Sequence, residues 1–70
     1  MSKAATVKVT NKFTGKTTAY EGINAFRKEA KTHYDRSVAS LIDTLSDAYE
    51  AGRTTRTYEW MLGVDVEKVA

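Results

Sequence analysis

Apolar and polar residues alternate along Thr6-Val7-Lys8-Val9-Thr10, with Val7 and Val9 on one side of an extended chain and Thr6, Lys8 and Thr10 on the other. This alternation, in a run rich in β-branched residues, predicts a half-buried strand. Lys16 to Tyr20 is a second β-rich run. Between the two, Asn11-Lys12-Phe13-Thr14-Gly15 supplies an Asn that can start a turn and a Gly suited to positive φ. Together they predict a hairpin with a glycine bulge.

From Gly22 the period lengthens to about 3.6, the mark of an amphipathic helix. Ile23, Phe26, Ala30 and Tyr34 fall on one face, and Val38, Leu41, Ile42, Leu45, Ala48 and Tyr49 on a second stripe. Gly22 can serve as N-cap, and Gly52 is a suitable stop after Tyr49-Glu50-Ala51. One continuous helix would be about 43 Å long, against about 17 to 20 Å for a strand of five or six residues. Thr32-His33-Tyr34-Asp35 are poor helix formers, however, and Asp35 or Ser37 can cap a new helix, which favours two.

After Gly52 the alternation returns, with Tyr58, Trp60 and Leu62 on one side and Thr57, Glu59 and Met61 on the other, and a third strand is expected over Thr54 to Leu62. Gly63 to Val69 is left open between a short strand and a final helical turn. The expected fold class is α+β: an antiparallel three-stranded sheet, made of the N-terminal hairpin plus a C-terminal strand, packed on one long or two shorter amphipathic helices. Its expected core is Val7, Val9, Tyr20, Ile23, Phe26, Ala30, Val38, Leu41, Ile42, Leu45, Tyr49, Tyr58, Trp60 and Leu62. An exposed strand edge, and a helix too long for its sheet, would favour a homodimer.

Seventy residues make a single small domain, 1–70, of a size at which natural folds lean on disulfides, a metal or self-association. With no Cys and His33 as the only His, the first two have almost no means of support, and no cofactor or metal is expected. Neither a signal-peptide pattern at Met1 nor an apolar run of membrane-spanning length is present, so a cytosolic protein without a membrane partner is expected. Charge is asymmetric: eight Lys or Arg against three acids from Met1 to Arg36, then three against six from Ser37 to Ala70.

Two motifs suggest catalysis and fail on spacing. Gly15-Lys16-Thr17 matches the end of a phosphate-binding loop, but that loop needs a Gly where Thr10 stands, and Lys16 continues into a strand rather than opening a helix. His33, Asp35 and Ser37 are two apart, so on a helix they point in different directions and cannot orient one another. Asp43, Asp47 and Glu50 share a helical face without the spacing of a calcium loop; such a face suits a basic partner. Basic residues gather as Lys8, Lys12 and Lys16 around the hairpin, Arg27, Lys28 and Lys31 on the first helix, and Arg53 and Arg56 before the last element. With Phe13 at the hairpin tip they could meet nucleic acid.

The order Thr14-Gly15-Lys16, then Thr17-Thr18-Ala19-Tyr20, Gly22-Ile23-Asn24-Ala25-Phe26, a second helix, and Gly52 with Thr57-Tyr58-Glu59-Trp60 resembles the small DNA-binding repeat modules associated with phage genes and homing endonucleases. The resemblance covers Phe13 to Trp60. It implies a hairpin, a helix-turn-helix and a closing aromatic strand, with Arg36, Ser37 and Ser40 reading DNA at the start of the second helix.

The functional expectation is a non-enzymatic accessory protein that binds another protein, such as a host protein, in the manner of a phage-type inhibitor or regulator. Lys12, Phe13, Lys16, Arg27, Lys28, Asp43, Asp47, Glu50, Arg53 and Arg56 are its candidate contact residues. The alternative is a small DNA- or RNA-binding module that uses the basic residues of the hairpin and helix.

Overall fold

The computed structural model describes residues 6–69. The expectation that no leader begins at Met1 concerns residues that lie partly outside that range. Strand β1 (Thr6–Asn11) pairs antiparallel with β2 (Thr17–Glu21) on one side and with β3 (Val64–Val69) on the other, giving the sheet order β2-β1-β3. Helices α1 (Ile23–His33), α2 (Ala39–Glu50) and α3 (Arg56–Leu62) complete the fold. The α+β class and three-stranded antiparallel sheet expected from the sequence are both present.

The hairpin closes as its residues dictate. Asn11 Oδ1 accepts the backbone N–H groups of Phe13 at 2.8 Å and Thr14 at 3.2 Å, and the Gly15 N–H donates to the Asn11 carbonyl at 2.7 Å. Gly15 sits at φ 76°, a conformation that side-chain-bearing residues adopt only with strain.

The helical region is two helices. Tyr34 turns to extended backbone after α1, and the Asp35 side chain accepts the Ser37 N–H at 3.1 Å, starting the 3₁₀ turn Arg36–Val38 that leads into α2. The overlong helix that would have favoured dimerisation is therefore absent. Gly52 ends α2 with paired bonds, Gly52 N–H to Tyr49 O at 3.1 Å and Arg53 N–H to Ala48 O at 2.9 Å, the pattern of a Schellman stop.

Val7 and Val9 are buried whereas Thr6 and Lys8 are exposed, so the helices cover one face of the sheet and leave the other to solvent. Ile42 and Leu45 of α2 have no accessible surface and anchor a core with Ile23, Phe26, Ala30, Leu62 and Val64. Each of these side chains larger than Ala30 contributes about 1.5 to 3 kcal/mol by its burial. Ser46, also fully buried, donates its hydroxyl to the Ile42 carbonyl at 2.9 Å.

Two expectations are corrected. Thr54 to Leu62 is not a strand: Arg56–Leu62 is α3, and the closing strand is Val64–Val69. Arg, Glu, Met and Leu favour helix locally, and Gly63 stops it in the left-handed region at φ 72°, its N–H reaching the Glu59 and Trp60 carbonyls. The second correction follows from the first. On a helix Trp60 turns away from Tyr58 and Leu62, and it is 76% exposed rather than a core anchor. Tyr20, Val38, Leu41, Tyr49 and Tyr58 are half-buried around the core, while Ala48 and Val64 join the buried set. No helix among the described residues is long and apolar enough to cross a membrane.

Candidate functional site

The contact residues expected from the sequence divide between two regions. At the seam of α1 and α2, Asp43 Oδ1 receives both Arg27 Nε at 2.8 Å and Lys31 Nζ at 2.7 Å. The hydrogen bond from Lys31, with the charges of Lys31 and Arg27, holds the Asp43 carboxyl below its ordinary range despite an opposing effect of desolvation. Two of the three cations in the first helix's basic cluster, Arg27 and Lys31, are thus satisfied within the chain. Lys28, Asp47 and Glu50 are exposed, and none has an ion pair among the described residues.

The second region joins the hairpin tip to the end of α3. The Lys12 N–H donates to the Gly63 carbonyl at 2.9 Å, and Lys12 Nζ lies 3.5 Å from Asp65 Oδ1 on β3. The Phe13 ring rests on Gly63 so closely that a Cβ at that position would overlap it, yet the side chain is 86% exposed. One helical turn before Gly63 stand Trp60 and Met61, the latter 57% exposed. Arg56 precedes Trp60 by four residues and so shares its solvent face; Arg53 lies just upstream, and neither has an acidic partner among the described residues.

Glu59 fixes this end of the molecule. Its Oε2 accepts the Thr55 hydroxyl at 2.6 Å and its Oε1 accepts the Val66 N–H of β3 at 2.7 Å. The carboxylate therefore ties the first turn of α3 to the outer side of the sheet, and α3 is held with Trp60 outward. Lys16 is exposed at the far end of the hairpin loop, away from these contacts in sequence.

A half-open cleft of about 400 Å³ separates the inner side of β2 from the last turns of α1. Within it the Tyr20 hydroxyl donates to Glu29 Oε1 at 3.2 Å, and the Tyr20 ring meets Phe26 edge-on, centroids 5.6 Å apart. Burial, together with the Glu29 charge, pushes the Tyr20 hydroxyl pKa up. Arg36, Ser37 and Ser40 are exposed at the entry to α2.

Of the contact candidates named from the sequence, Lys12, Phe13, Arg53 and Arg56 are exposed here, whereas Trp60, expected inside, and Met61, not among the candidates, are exposed as well. The signal for both was Gly63, a helix stop that converts the preceding alternation into helical spacing. In fold and site the protein is a small open-faced α+β domain with an aromatic and basic end. Compared with protein-family models, curated proteins and solved structures, the chain matches none.

Proposed function

We propose that the protein is a non-enzymatic accessory protein that binds another protein through Phe13, Trp60 and Met61, with Lys12, Arg53 and Arg56 at their margin. The observation that carries this reading is the exposure of the three large apolar side chains within one turn of Gly63. Exposed apolar surface of this kind commonly marks an interaction site, and Trp, Phe, Met and Arg are the residues enriched at the centres of protein interfaces. Arg53 and Arg56, which have no acidic partner among the described residues, suit a partner that is acidic around an apolar centre. Inhibition or regulation of a larger macromolecule fits a chain of this size, in the phage-type manner its sequence order suggests.

The test is capture of a partner by wild type and by Trp60→Ala from a nuclease-treated lysate, followed by affinity measurement with the captured protein. Loss of a central Trp should cost about 2 kcal/mol or more, roughly thirtyfold in Kd. Equal affinity for the two chains would remove this surface from the function.

A second reading, a DNA- or RNA-binding module, is favoured by the exposure of Arg36, Ser37 and Ser40 where the second helix begins. Lys12, Lys16, Arg27 and Lys28 would supply phosphate contacts. That reading requires affinity to fall steeply with salt, by about 10³-fold or more between 50 and 200 mM for six or more phosphate contacts. Arg27 is already engaged by Asp43, which reduces the positive field available to a phosphate backbone.

A further inference from the structure

The cleft beside Tyr20 contains none of the side chains assigned to the Phe13 and Trp60 end, and its volume of about 400 Å³ falls in the range of small-molecule sites. α1 follows β2 after the single residue Gly22 and runs back along it. One end of the cleft is therefore bounded by Tyr20 and Glu29, and the other by Lys16 and the hairpin loop. Its floor is apolar, made by Val9, Phe26, Ala30 and Val64 of the core. Such a floor selects an apolar body, and the two ends select by charge.

At the hairpin end only donors are left over. Asn11 Oδ1 is occupied by the N–H groups of Phe13 and Thr14, which leaves its Nδ2 to donate. Thr14 Oγ1 accepts the Lys16 N–H at 3.2 Å, so its hydroxyl proton is free. Lys16 has no acidic partner among the described residues. Two neutral donors around an uncompensated ammonium suit a carboxylate. The opposite end is an acceptor. Glu29 Oε1 takes the Tyr20 hydroxyl at 3.2 Å and has His33 Nε2 at 3.9 Å, whereas Oε2 has no partner among the described residues. That oxygen suits a cation.

The distance between the two ends sets the length of the ligand. Lys16 and Tyr20 are four residues apart on extended chain, about 13 Å at about 3.3 Å per residue. A single amino acid carries both charges on one carbon and cannot reach both ends. A tripeptide with free termini spans about 10 Å when extended, and the flexible Lys16 stem covers the remainder. Tyr34 also lines the cleft, and its hydroxyl can bond a peptide's own amide groups, which an ω-amino acid of equal length lacks.

We propose that this cleft binds a short peptide with free termini. Its carboxylate lies at Lys16, Asn11 and Thr14, its ammonium at Glu29, and an apolar central side chain on the floor of Val9 and Ala30.

Amide NMR titration with Ala-Leu-Ala tests it. Saturable shifts should appear at Thr18, Tyr20, Glu29 and Ala30, with a Kd below about 1 mM. N-acetylation and C-amidation of the peptide should each raise Kd by about tenfold or more, the size expected of one charge-assisted hydrogen bond. Glu29→Gln keeps an oxygen for the Tyr20 hydroxyl; it should weaken binding of the free peptide by the same factor and make N-acetylation indifferent. Lys16→Gln should do the same for C-amidation. This crossed pattern is one that a folding defect does not produce. ω-Aminooctanoate should bind more weakly than the peptide. No saturable shift at about 10 mM peptide, tenfold above that limit, would overturn the proposal. Equal binding of free and blocked peptides, or tighter binding of ω-aminooctanoate, would do so as well.

Discussion

The seam between α1 and α2 and the end formed by the hairpin and α3 both bring cations and other large side chains to the surface, but they resolve them in opposite ways. At the seam Asp43 receives Arg27 and Lys31 on one oxygen, and beneath it Ile42 and Leu45 are wholly buried. At the other end Phe13 and Trp60 stand in water, and Arg53 and Arg56 have no acid among the described residues. The first region is complete within the chain. The second holds its aromatics outward by defined contacts, Glu59 to β3 and Phe13 on Gly63, while leaving them unburied. Side chains that contribute little to folding yet are held in place are what the proposed binding surface rests on.

The contrast is broken most strongly by truncation on each side of it. Leu45→Ala should cost about 2 to 5 kcal/mol in denaturant unfolding, as expected for a buried Leu whose site cannot fully collapse. Glu59→Ala should cost less, about 1 to 3 kcal/mol, because it leaves the Val66 N–H without its carboxylate. It should also loosen α3 from β3, seen as faster hydrogen exchange at Val66. The Asp43 contribution is smaller still, since the group is partly exposed. Its carboxyl pKa is lowered on folding, so the stabilisation is complete above the ordinary value of 3.8 and is lost as pH falls below it. Comparing wild type with Asp43→Asn should therefore give a stability difference at neutral pH that shrinks toward pH 2, the acid limit at which paired carboxylates protonate. Trp60→Ala should change stability least, within about 0.5 kcal/mol, as for surface sites without special contacts.

How far the sequence revealed this division depended on the length of each periodic run. The hairpin was legible because Val7 and Val9 alternate with polar residues and Asn11 and Gly15 bracket the turn. The helix break was legible in part, through the poor helix formers before Asp35. The seven residues of α3 were misread for a physical reason: Tyr58 and Leu62 are four apart, a spacing that suits both the same side of a strand and the same side of a helix. Only Trp60, midway between them, distinguishes the two, facing inward in a strand and outward in a helix. Because Trp is commonly well buried, the wrong period looked right. Pairing across the seam was beyond the sequence altogether, since Arg27 and Asp43 lie on different helices and only the turn at Tyr34 and Asp35 brings them together.

Trp60 is the only tryptophan, so its fluorescence reports on the contested end alone. In the free chain its emission should match that of tryptophan in water and be quenched fully by iodide, and the captured partner should shift it to shorter wavelength and shield it. A blue-shifted, quencher-resistant Trp60 in the free monomer, or one that the bound partner leaves unchanged, would contradict the assignment of this end as the binding surface.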